Sequence, residues 1–121
     1  MNNLQTKVND LVSATHKASV DAGWWIGVDR SHPFLVPTKL CLIHSEISEA
    51  MEGHRKGLPD DKLPHRSMLE VELADAMIRI ADLAGALGLD LGGALVEKMA
   101  FNSTRADHKM ESRTVTGGKA Y

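Results

Sequence analysis

The chain has 121 residues and a formal charge of −2. That is enough for one domain with one hydrophobic core, and too evenly balanced for a nucleic-acid surface or a solvating acidic tail. Ala, Leu and Met are plentiful and aromatics scarce, which favours helix over strand, while the single cysteine, Cys41, excludes an internal disulfide.

A first helix is expected over about residues 3–22, where Leu4, Val8, Leu11, Val12, Thr15, Ala18 and Ala22 make one stripe at helical spacing. Gly23 is its stop. The segment GWWIGVDRSHPFLVP, with two glycines and two prolines, reads as a loop. Thr38 is the expected N-cap of a second helix reaching about Lys56, halted by Gly57 and Pro59. After the connector LPDDKLP, Ser67 and Glu70 form a capping box for a third helix, ending near Gly85 or Gly88. Asp90 is positioned to cap a fourth helix running to about Ala106, its first turn weakened by Gly92 and Gly93. A polar tail, about residues 107–121, is expected to be mobile when nothing is bound. Nothing reads as a strand. The expectation is a single all-α domain over residues 1–121, a four-helix bundle. The opening MNNLQTKVND lacks the pattern of a signal peptide, and no apolar run is long enough to span a bilayer. With the lone cysteine, these features predict a cytoplasmic protein with no membrane segment.

The chemistry is carried by carboxylates. Each helical residue advances about 100° around the axis. On the second helix Leu40, Ile43, Ile47, Ala50 and Met51 define an apolar arc; Glu46 falls inside it, Glu49 at its rim, and Glu52 points away. On the third helix Leu69, Leu73, Ala76, Ile80 and Leu83 make the arc, with Glu72 inside and Asp75 at the rim. Two helices thus carry acid pairs at i and i+3 with matching offsets from their apolar arcs. Packed face to face, they would bring four carboxylates together, a crowding that demands protons, cationic partners or a metal. All-oxygen ligation suits Mg²⁺ or Mn²⁺, and Zn²⁺ less, because no His or Cys belongs to the pattern. The plainer reading is that these acids pair with lysines or arginines at a bundle edge. Lys39, two turns before Glu46, would neutralise the cluster or reach a phosphate, and Arg79 would serve as a structural counter-ion.

On the fourth helix Lys98, Asn102 and Arg105 form a stripe at i, i+4 and i+7. Alone this is a solvated face; beside an acidic metal cluster it becomes a grip for polyphosphate. Trp24 offers a face for stacking on a base, whereas Trp25 reads as core. Asp82 is either a supporting residue or a surface acid, and the six histidines are scattered, with surface or capping roles. A second apolar side on the third helix, Val71, Ala74 and Ile78, suggests packing on two sides, as an oligomer core requires.

The segments EISE, residues 46–49, and ELAD, residues 72–75, followed by KMAFNSTR, residues 98–105, resemble the MazG-like all-α nucleoside triphosphate pyrophosphohydrolases. The likeness runs from about residue 38 to 120. It implies that Glu46, Glu49, Glu72 and Asp75 bind Mg²⁺ and that Lys98, Asn102 and Arg105 hold the triphosphate. It also implies cleavage between the α- and β-phosphates, in a homodimer or homotetramer. Within the reaction Glu49, the less buried acid of its pair by helical projection, is the expected water-activating base. The competing readings are a related dUTP/dUDP or phosphoribosyl-ATP hydrolase, or a non-catalytic bundle that binds nucleotide or metal. A redox di-metal bundle is disfavoured because its ExxH pairs are missing.

Overall fold

The computed structural model describes residues 3–104 and Gly117. It is all-helical: α1 (Asn3–Asp21), α2 (Leu35–Lys56), α3 (Met68–Leu87) and α4 (Leu91–Thr104). Among the described residues extended pairing is limited to one isolated bridge, Pro59 to Ser67, inside the α2–α3 connector. None of their helices is long and apolar enough to cross a membrane. Of the described residues, 11–89 form one compact unit, and 3–10 with 90–104 belong to another. Arg105 and all of the expected tail but Gly117 lie outside the described residues.

Most helix ends follow their local chemistry. At the start of α3 the Glu70 N–H donates to Ser67 Oγ (3.1 Å) and the Ser67 N–H to Glu70 Oε1 (3.2 Å), a reciprocal capping box. Gly57 and Gly88 close α2 and α3 in the left-handed conformation, at φ 62° and 66°, which costs glycine little. The start of α2 corrects the expectation: the helix begins at Leu35, not after Thr38. Pro37 falls in its first turn, where a missing N–H breaks no intrahelical bond. In the smaller unit Asp90 caps α4 as expected, accepting from the Gly93 N–H at 2.8 Å. Asn9 Oδ1 accepts from the Gly92 N–H at 2.8 Å, so side chains compensate the two glycines of that first turn.

In the larger unit α2 and α3 pack as an antiparallel pair, since Gly53 meets Met68 at one end while Glu46 pairs with Arg79 further along. The seam is built from small residues and acids. Ala50, Gly53 and Ala76 are buried there with Glu46 and Glu72. A Cβ at Gly53 would stand 2.7 Å from Met68 Cβ, so only glycine permits this approach. Much of the expected core arc therefore faces elsewhere. Leu40, Ile47 and Met51 on α2 and Leu73 and Ile80 on α3 are each at least 40% exposed. Small residues let two backbones come close, and that rotates each helix so its bulky stripe leaves the seam. In an antiparallel pair, side chains turned from the seam in the same rotational sense lie on one side of the layer. By that geometry these five residues and the exposed Met77 share one apolar face, and Glu49, Asp75 and Asp82 lie toward the opposite one.

Candidate functional site

The acid pairs of α2 and α3 do converge. Glu46, Glu72 and Asp75 each offer one carboxylate oxygen, and these three oxygens all lie within 4.8 Å of one another. Glu46 and Glu72 are buried; Asp75 is half-buried. Glu49 is exposed beside this trio, and its carboxylate acts on both Glu46 and Glu72. The rim position expected for Glu49 is therefore the one observed.

The electrostatics show the strain of this crowding. Burial, reinforced by the neighbouring Glu46 and Glu49, pushes the Glu72 carboxyl up to about 8. Burial and the Glu46 charge also raise Asp75. For Glu46 burial works upward too, but hydrogen bonds from Glu72 and Arg79 outweigh it, and its carboxyl sits below the usual range. Arg79 Nε donates to Glu46 Oε1 at 2.8 Å, the counter-ion contact expected of it. Glu72 Oε2 is buried without a hydrogen-bond partner, and an orphaned buried acceptor of this kind calls for a ligand. Three converging oxygens, one of them orphaned, fit a hard divalent cation such as Mg²⁺ or Mn²⁺.

The cluster opens on a cavity of about 650 Å³. Glu46, Asp75 and Arg79 line it together with Lys39, Ile78, Asp82 and, from α1 and the following loop, Ala14, Thr15, Ala18, Ser19 and Trp24. The size suits a small organic ligand. Trp24, at 73% exposure, presents its ring there, whereas Trp25 is buried as expected. Lys39 shares the cavity with the acids, its Nζ 4.6 Å from the centroid of the Trp25 ring.

Two acids have roles the sequence did not reveal. The Asp82 carboxylate lies 2.7 Å from His16 Nδ1 and accepts from Ser19 Oγ at 2.9 Å and Trp25 Nε1 at 3.1 Å. It fastens α1 and the Trp loop to α3 and is neither a surface acid nor idle. His16 is correspondingly half-buried, packed where a Cβ on Gly85 would fall 2.5 Å from its own Cβ. Asp60 is buried in the connector, its Oδ2 accepting from the Lys62 and Leu63 N–H groups at 2.9 and 2.7 Å. Its charge contributes to the raised Asp75 carboxyl. The dipeptide Pro59-Asp60 signals such a turn; the Asp82 contacts join residues 57 to 66 positions apart and leave no local signal.

Lys98 and Asn102, two of the three residues expected to grip phosphate, belong to the smaller unit. Lys98 is exposed, its Nζ 4.9 Å from the Phe101 ring centroid. Asn102 is half-buried with Oδ1 lacking a partner, and Arg105 lies outside the described residues. No protein-family model, curated protein or solved structure matches the chain.

Proposed function

We propose that this chain is a Mg²⁺-dependent nucleoside triphosphate pyrophosphohydrolase of the MazG-like type, converting a ribo- or deoxyribonucleoside triphosphate to the monophosphate and pyrophosphate. The observation that carries the reading is the convergence of Glu46, Glu72 and Asp75, with one Glu72 oxygen orphaned and Glu46 and Asp75 lining a cavity. A merely structural acid cluster would be costly to keep buried. Glu46, Glu72 and Asp75 would hold the ion, with Glu49 completing the set. When bound, Mg²⁺ would offset the charge that builds on the phosphate oxygens.

The chain's own residues supply the rest. Glu49, solvent-facing beside the trio, orients a water and takes its proton as the water oxygen bonds to the α-phosphorus. The bond from that phosphorus to the bridging oxygen breaks, and pyrophosphate leaves with the electron pair. The family resemblance alone assigns Lys98, Asn102 and Arg105 to the triphosphate. Lys39 and Trp24 both line the cavity, and in this reading they would meet a phosphate and the face of a base.

The exposed apolar face of α2 and α3 supports assembly as a homodimer or homotetramer, because a patch of this kind on a soluble monomer marks an interface. Light scattering of the purified chain tests this; a monomer at working concentration would contradict it. For the activity, a panel of nucleoside triphosphates is incubated with Mg²⁺ and the products separated. The reading predicts monophosphate and pyrophosphate in equal amounts from at least one nucleotide. Release of orthophosphate, or no turnover across the panel, would contradict it.

A further inference from the structure

Arg79 differs from the other charged residues near the acids. Its guanidinium is committed to a prospective metal ligand, with Nε donating to Glu46 Oε1 at 2.8 Å, yet the side chain is 39% exposed and lines the cavity. It sits one helical turn after Asp75 on α3 and reaches across the seam to α2. A cation of fixed charge on a flexible stem, at the boundary between an acid cluster and an open cavity, has two places to go.

We propose that Arg79 is an exchange cation: it holds Glu46 while no metal is bound, yields that carboxylate to the metal, and turns its guanidinium to the phosphates of the nucleotide in the cavity. The inference rests on the metal reading above and adds to it a device that couples metal loading to substrate binding. Without metal the cluster would otherwise leave the buried Glu46 carboxylate with no cation beside it, which is costly. With metal, the same guanidinium on Glu46 would compete for a ligand oxygen and repel the ion. Moving it a few ångströms into the cavity removes both penalties. A guanidinium there meets phosphate oxygens, for which its forked donors are well shaped. The chemistry recognised is a di- or triphosphate anion.

The test separates the two halves by sign. Mn²⁺ binding to the purified full chain is measured by titration calorimetry for wild type, Arg79→Met and Arg79→Lys. Binding of pyrophosphate to the Mn²⁺-saturated proteins is measured next. Circular dichroism confirms that each variant is folded. Arg79→Met is expected to bind Mn²⁺ about tenfold more tightly, because the competing cation is gone, and pyrophosphate about tenfold more weakly. Arg79→Lys, which keeps a charge without the fork, should fall between. Wild-type Mn²⁺ affinity matched by Arg79→Met would overturn the hold on Glu46. Tighter Mn²⁺ with unchanged pyrophosphate affinity would leave only a structural counter-ion and overturn the exchange. A wild type that binds no Mn²⁺ sinks the metal reading itself, and is distinguishable from both.

Discussion

Glu72 and Asp82 stand on the same helix, both largely shielded from water, and their situations are opposite. Asp82 is surrounded by donors: His16, Ser19 and Trp25 all turn toward its two oxygens. Glu72 is surrounded by acceptors: Glu46 and Glu49 press on it, and one of its oxygens has no partner. A carboxylate whose hydrogen bonds are satisfied is a fastener, and one kept dry among other acids carries an electrostatic cost that a proton or a cation would relieve. The contrast separates the part of α3 that builds the fold from the part to which the proposed chemistry is assigned.

The comparison breaks most readily at the acids assigned to chemistry. Asp75→Asn and Glu49→Gln are each expected to lower Mg²⁺-dependent turnover by at least about 100-fold, with the helical content seen by circular dichroism unchanged. Near wild-type turnover in either variant would remove that residue from its role. Asp82→Ala should do the converse, leaving the half-buried His16 and Ser19 without their shared acceptor and Trp25 Nε1 with Ser19 Oγ alone. A loss of about 2–3 kcal/mol in unfolding free energy is expected by denaturant titration, whereas a loss of activity with stability intact would mean that Asp82 acts in the reaction.

A third test uses pH. The Glu72 carboxyl is raised by burial from an ordinary 4.5 to about 8, so between those values the folded, metal-free chain keeps a proton that the unfolded chain releases. Its stability must then fall as pH rises from about 4.5 to 8. Glu46, held low, contributes in the other sense and only on the acid side, where its stabilisation is lost as pH falls. Calorimetric melting in chelator should show the decline for wild type and a shallower one for Glu72→Gln, in which the raised Asp75 carboxyl still acts in the same sense. Mg²⁺ should flatten it, because the ion stabilises the ionised form. The smallest effect is expected at the start of α3, where Ser67→Ala removes one capping bond and about 1 kcal/mol. No change in stability there would mean that packing alone sets the helix start.

What the sequence disclosed and what it withheld divide along the same lines. Local chemistry was readable: the Ser67–Glu70 box and the glycine stops at 57 and 88 are short-range devices, and the structure has all of them. The matched offsets of Glu46 and Glu72 were readable as well, because two helices with acids at the same angle from their apolar arcs have few ways to pack. The direction of the bulky stripe was not. Leu40, Ile47 and Met51 look like core on a helical projection, and a projection cannot tell a neighbouring helix from a neighbouring chain. Here Ala50, Gly53 and Ala76 took the seam and left the larger side chains outside. The start of α2 was missed because proline usually signals a boundary, although the first helical turn tolerates it. The Asp82 cluster was invisible because its donors lie far off along the chain.

The central claim is that Glu46, Glu72 and Asp75 converge to hold one divalent ion. Equilibrium titration of the purified chain with Mn²⁺, followed by the loss of the free-ion spin-resonance signal, tests it most directly. Saturable binding is expected, weakened by an order of magnitude or more in each of Glu72→Gln and Asp75→Asn and unchanged in Asp82→Asn. Saturable binding that survives in both acid variants, or no binding by the wild type, would contradict it.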